Sequence, residues 1–260
     1  DPLMRGVSEE EREAGGIKIT TVTILTQEAA KRLGKPRGRF VTLDAPNLPL
    51  RDPELFETVG RELAREIKRL LPPLSKGEQV LVVGLGNRFV TPDALGPRVA
   101  EKVFVTRHIL EYMPDLIPFE PLSVAAIAPG VLGITGVETV EVVKGVVESI
   151  APRAVIAVDS LASRRAARIS TTVQLTDTGI EPGAGVGNLR RGLNEETLGV
   201  PVIASGVPLV VYASTILADT IGMIAEEAGL EDKEEELTDM ACRAVSDQLF
   251  VMTDDGSYGE

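Results

Sequence analysis

Four short and nearly uninterrupted apolar runs constrain this chain most: Val80–Val83, Ser123–Ile127, Ala154–Val158 and Val202–Ala204. A strand with one wet face alternates apolar and polar residues, whereas a run without alternation must be covered on both faces. Segments of helical character follow three of the runs, at about 97–112, 138–150 and 210–228. Strands and helices in this order build a mostly parallel sheet with helices on both faces, an α/β architecture. Hydrophobic residues make up 43% of the chain but aromatics only 3%, with no Trp, so Val, Ile, Leu and Ala must fill the core.

Upstream the pattern differs. Residues 17–25 (IKITTVTIL) alternate Thr with Ile and Val, as a half-buried strand does. Gln27–Leu33 reads as a short helix and Arg39–Leu43 as a second strand. Asp52 is placed to cap a longer helix. Pro53 fits its first turn, Leu55, Val59, Leu63, Ile67 and Leu70 recur at helical spacing, and Pro72-Pro73 ends it. We therefore expect a single α/β domain over 1–260. Residues 1–78 form its N-terminal strand-helix extension, 79–230 the core sheet with the active site, and 231–260 a C-terminal helical segment opened by the charge run Glu231–Glu236.

The bulk numbers exclude several functions. A net charge of −12 repels phosphate backbones, so no nucleic-acid partner is expected. A single cysteine, Cys242, allows no intrachain disulfide and reads as a small hydrophobe. No apolar run reaches the ~20 residues of a spanning helix. The expectation is a cytoplasmic protein with no membrane partner. The only histidine, His108, falls inside a predicted helix, away from any strand end. That leaves Ser-His or Cys-His catalysis without a base, and a metal site without the usual His or Cys cluster. No metal and no cofactor are expected.

In a sheet of this kind, functional groups gather beyond the carboxyl ends of the parallel strands. Two segments there carry carboxylates. The first is GLGN (84–87) followed by TPDALGP (91–97). Gly84 and Gly86 allow a sharp turn that leaves backbone N–H groups of Gly84, Gly86 and Asn87 accessible, and Asp93 stands just before a helix. Asp93 suits a helix cap as well as a catalyst. Phe89 sits where a dinucleotide-binding loop needs its third glycine, which weakens a nucleotide-binding reading. The second segment is VIAVDSL (155–161), where Asp159 ends a predicted strand ahead of a helix-forming stretch with Arg164, Arg165 and Arg168. Capping is the plain alternative there too. If the two strands are neighbours, Asp93 and Asp159 share an edge, where paired carboxylates titrate apart and can activate water and protonate a leaving amine. Two glycine-rich loops could complete a cleft. One is PGVLGITGVET (129–139), with Thr135, Gly136, Glu138 and Thr139 as candidate substrate or oxyanion contacts. The other is DTGIEPGAGVGN (177–188), with Gly183, Gly185 and Asn188.

Together these segments resemble the germination protease family of spore-forming bacteria. The blocks that carry the resemblance are GRFVTLDAP (38–46), VVGLGNRFVTPDALGP (82–97), VTRHIL (105–110), PGVLGITGVET (129–139), IAVDSLASR (156–164), TDTGIEPGAGVGN (176–188), TLGVPVIASGVP (197–208) and ADTI (218–221), in one order over roughly 15–225. The resemblance implies an endopeptidase that degrades small acid-soluble spore proteins in the spore core during germination. It implies a zymogen activated by removal of an N-terminal segment, a homotetramer, and an atypical aspartic mechanism whose two aspartates match Asp93 and Asp159. It also implies a fold similar to the hydrogenase-maturation endopeptidases, whose metal-dependent chemistry is the alternative mechanism. The chain departs from the family pattern at Ser160, Ser205 and Tyr212, where Ala, an apolar residue and Asp are expected, and in its short acidic stretch after Leu230.

Overall fold

The computed structural model describes residues 5–113, 122–181, 191–244 and 249–251. Nine strands are described: β1 (Val7–Ala14), β2 (Ile17–Ile24), β3 (Gly38–Asp44), β4 (Gln79–Gly84), β5 (Ser123–Ile127), β6 (Ala154–Ser163), β7 (Thr172–Thr176), β8 (Val202–Tyr212) and β9 (Leu249–Val251). All belong to one sheet in the order β1-β2-β3-β7-β8-β6-β4-β5, with β9 joined to β8.

The sheet is mixed, which corrects the mostly parallel expectation. The four apolar runs form the parallel half, β8-β6-β4-β5. Strands β1, β2, β3 and β7 are antiparallel to their neighbours, and β7 meets β8 antiparallel. At the outer edge the connection length imposes this. β1 and β2 are joined by Gly15-Gly16 alone, a link that only an antiparallel pair can use; β3, reached through α1, pairs antiparallel as well.

The helices are α1 (Gln27–Leu33), α2 (Pro53–Leu70), α3 (Leu95–Lys102), α4 (Arg107–Tyr112), α5 (Leu132–Thr135), α6 (Thr139–Ile150), α7 (Glu195–Leu198), α8 (Ala213–Ala228) and α9 (Glu234–Ala244). Capping follows the sequence. Asp52 accepts from Glu54 N at 2.9 Å, and Thr26 caps α1 by accepting from Ala29 N at 3.2 Å. Val59 and Leu70 of α2 pack on Ile17, Val41, Leu43, Val173 and Ile203, with Leu63 and Ile67 alongside. On the opposite face Val140, Val143 and Val147 of α6, with Leu198 of α7, pack on Leu81, Val83, Val155, Ala157 and Val202. α3 lies on the α2 side, where Ala100 stands over Gly84. Among the described residues no helix is long and apolar enough to cross a membrane.

Several predicted elements are redrawn. The helix expected over 97–112 breaks into α3 and α4 because Thr106 is needed elsewhere: its N–H donates to Val124 O at 3.0 Å and its hydroxyl both takes Val124 N and donates to Leu122 O, sealing the outer edge of β5. β6 does not stop at Asp159 but continues to Ser163. β8 runs on to Tyr212, so the helix expected from Val210 begins at Ala213. The expected C-terminal helical segment holds α9 but also the short strand β9, which pairs with Val210–Tyr212. β1 (VSEEEREA) has no apolar alternation; pairing along its whole length with β2 makes it a strand.

Candidate active site

Asp93 and Asp159 are brought together by three glycines. β4 leaves the sheet at Gly84, turns at Gly86 (φ 111°), and returns through a 3-10 turn at Thr91–Asp93 into α3. A Cβ on Gly96 would lie 2.2 Å from Leu85 O and 2.4 Å from Val158 O, so only glycine lets the start of α3 rest on the ends of β4 and β6. Gly84 makes the reciprocal space, since a Cβ there would meet Gly96 O at 2.0 Å. Gly86 lies against Asp93, with a Cβ position 2.1 Å from Asp93 O. Leu85 N donates to Val158 O at 2.8 Å and ties the loop to the residue before Asp159.

The two carboxyls sit in different settings. Asp93 is half-buried, and its Oδ2 accepts from the backbone N–H of Asn87 at 2.7 Å. The Asn87 side chain is itself occupied, accepting from Phe89 N at 3.0 Å, so Asn87 serves Asp93 through its backbone. Asp159 is buried, at 6% exposure. Burial pushes its carboxyl up from 3.8 to about 7; the hydrogen bond from Ser160 N at 2.8 Å opposes this, and the charge of Asp93 adds to it. The capping alternative for Asp93 fails in the strict sense, because the residue preceding α3 is Ala94 and its side chain makes no cap.

The other candidates are distributed unequally. Gly84 is buried under α3, while Gly86 and Asn87 shape the Asp93 loop. The loop after β5 rises from the same carboxyl edge, because β5 is parallel to β4 and paired with it. Within it Thr135 donates to Val131 O and Val137 O, Gly136 is the left-handed cap of α5, Glu138 forms a capping box with Glu141, and Thr139 donates to Gly130 O. Their described polar contacts are thus internal to the loop, and Thr135 and Gly136 are exposed beside the site. Gly183, Gly185 and Asn188 lie outside the described residues. His108 is exposed on α4. Among the described residues no group of three or more His, Cys, Asp or Glu side chains is gathered as a metal would require. Two contributors were not among the candidate site residues. Gly96, a glycine in a helix's first turn, was a readable signal. Ser160, whose buried hydroxyl has no partner among the described residues, was marked only as a departure from the family's Ala.

Comparison with known proteins decides the family. The family model described as germination protease matches residues 2–252. The chain belongs to the germination protease family. A germination protease of Caldanaerobacter subterraneus is 52% identical over 230 residues, covering 88% of this chain and 71% of the relative. That of Bacillus subtilis is 48% identical over 233 residues, covering 89% of this chain and 63% of the relative. One from Clostridium perfringens is 49% identical over 221 residues, covering 85% and 68%. The chain thus spans about two thirds of the length of these family members. Family membership makes it a peptidase.

Proposed function

We propose that this chain is an endopeptidase that degrades small acid-soluble spore proteins during germination, using Asp93 and Asp159 as its acid-base pair. The observation that carries the mechanism is the contrast between the two carboxyls. Asp159 is buried beside a second carboxylate and holds its proton up to about pH 7, while Asp93 is only half-buried and accepts the backbone N–H of Asn87. In this scheme Asp93 takes a proton from water as the water oxygen attacks the scissile carbonyl carbon. Asp159 gives its proton to the amide nitrogen as the C–N bond breaks. The proton then passes from Asp93 back to Asp159 to restore the starting state. The two ionisations belong to the pair rather than to either residue alone.

Apolar side chains around the site support a polypeptide substrate. Phe89 (78% exposed) and Val90 rise from the Asp93 loop, and Leu132, Ile134 and Val137 from the loop after β5. Exposed apolar groups in one place mark a binding surface. Small acid-soluble spore proteins as substrates, the spore core as location, zymogen processing and the hydrogenase-maturation-like fold rest on the family likeness. The continuous sheet supports treating the chain as one α/β domain.

The test is substitution without change of shape. Asp93→Asn and Asp159→Asn should each lower the rate of peptide hydrolysis by about 10²-fold or more, the usual scale for losing an acid or base. Circular dichroism should show both variants folded. A folded variant that cleaves at near the wild-type rate removes that residue from the mechanism.

A further inference from the structure

Beyond Val158 the sheet narrows. β4 ends opposite Val158, at Gly84, but β6 runs five residues further with β8 on its other side. At that level β9 pairs with β8, at Val210–Tyr212. Residues 159–163 of β6 are therefore the edge of a three-stranded ribbon, β9-β8-β6. Among the described residues no strand pairs with that edge. The turn at Thr91–Asp93 stands nearby, but its amides bond within their own loop: Asp93 N donates to Val90 O and Ala94 N to Thr91 O.

The direction of the edge follows from the ladder. Leu85 N donates to Val158 O, so the polar groups of Val158 face the β4 side. Strand alternation turns Ser160 the same way. The Ser160 N–H is held by Asp159 Oδ1, which couples the first outward-facing position of the edge directly to the carboxyl of the site.

An unpaired strand edge is a template for another chain, and proteins usually block it. The edges formed by β5 and β1 are blocked. Thr106 occupies the polar groups of Val124 on β5. The outer strand β1 exposes Glu9, Glu10, Glu11 and Glu13. On the edge from Asp159 to Ser163 only the Ser160 N–H is taken, by Asp159 Oδ1, and among the described residues no strand takes the Ser160 carbonyl or the polar groups of Ala162. After Asp159 the edge reads Ser-Leu-Ala-Ser, small or apolar and uncharged, and it begins at the pair of aspartates.

We propose that the substrate binds as an added strand along residues 159–163 of β6, in line with β4, so that its backbone is read by hydrogen bonds and its scissile amide lies beside Asp93 and Asp159. Main-chain pairing suits an enzyme that must take an unfolded segment whatever its side chains. The proposal rests on those two aspartates being the catalytic pair.

The test uses the wild-type enzyme and a short peptide spanning a cleavage site mapped in a small acid-soluble spore protein or, if that protein resists, in reduced and unfolded casein. Backbone amides away from the scissile bond are N-methylated one at a time. Strand addition predicts a fall in kcat/KM of about tenfold at alternate positions, with the positions between them within about twofold, because only every second amide faces the partner strand. With an uncleavable reduced-amide version of the peptide bound, amide exchange should slow at Ser160 and Ala162, whose N–H groups face the added strand, and stay unchanged in residues 123–127 and 7–14. Uniform sensitivity to N-methylation, or protection at β5 or β1 instead, overturns the proposal. Failure of the catalytic assignment shows itself separately. Asp93→Asn or Asp159→Asn would then remain active while the alternating pattern persisted.

Discussion

Asp159 is held by opposed influences of unequal size. Burial raises its affinity for a proton, the Ser160 N–H lowers it, and Asp93 raises it again, with the balance at about 7. Between the ordinary value of 3.8 and about 7, the folded protein holds a proton that the unfolded chain releases. Folding stability from this residue is therefore full below about pH 4 and is lost as pH rises toward 7, after which it is flat. The loss is on the order of 4 kcal/mol, at ~1.4 kcal/mol for each pH unit of difference. Asp159→Asn, neutral at every pH and nearly isosteric, should melt higher than wild type at pH 8 and close to it at pH 4. An identical difference in Tm at both pH values would show that the carboxyl is not held neutral by its surroundings. Hydrolysis by the wild type should decline above pH 7 for the same reason, as the pair loses the proton it needs for the leaving amine.

At the scale of elements, the junction of β4, α3 and β6 decides where the carboxyls stand. Glycines there do two different jobs. Gly96 is needed for closeness, because any Cβ would press into backbone atoms of Leu85 and Val158 that cannot move aside. Gly136 is needed only for its left-handed φ of 70°, with nothing within 4 Å of a Cβ position. Gly96→Ala should therefore cost about 3 kcal/mol or more, as overpacking a rigid contact does. Gly136→Ala should cost ~1 kcal/mol, the strain of the backbone alone. Urea titration of the two variants gives the comparison. Equal midpoints would mean that the α3 junction yields more readily than its geometry implies. The same junction explains why Gly84 is not an accessible anion contact: α3 covers it.

For the whole molecule, two groups of exposed apolar residues among the described residues bear on binding. One surrounds the site. The other is formed by α8 and α9, where Met223, Ile224 and Met240 are 63%, 57% and 64% exposed beside a groove of about 460 Å³ lined by Ile221, Leu230 and Leu237. A surface of this kind supports the self-association that the family likeness implies. Sedimentation equilibrium of the wild type should give the mass of four copies. Met240→Glu, which puts a charge into the surface, should shift the mass toward smaller species without unfolding the chain. A wild-type chain that stays monomeric at tens of micromolar, or a Met240→Glu variant with undiminished mass, would remove this surface as the contact.

The sequence alone determined the elements whose signal is local. Apolar runs too dense for a wet face had to become the buried parallel strands β4, β5, β6 and β8, and Asp52 with Pro53 had to start α2. The ordered motifs identified the family, and both aspartates were named from the strand-end rule. Tertiary structure decided what depends on partners distant in the chain. β1 carries four glutamates and no apolar alternation, and only its pairing with β2 makes it a strand. Val210–Tyr212 reads as the start of a helix but extends β8, because β6 and β9 supply partners on both sides. Thr106 splits a helix to close the edge of β5. Asp159 looked like the last residue of a strand. Its burial, its raised proton affinity and the free edge that begins with it exist only because β4 stops short while β6 and β8 continue. Strand length in a sheet is set by what lies alongside, and that is long-range information no local pattern contains.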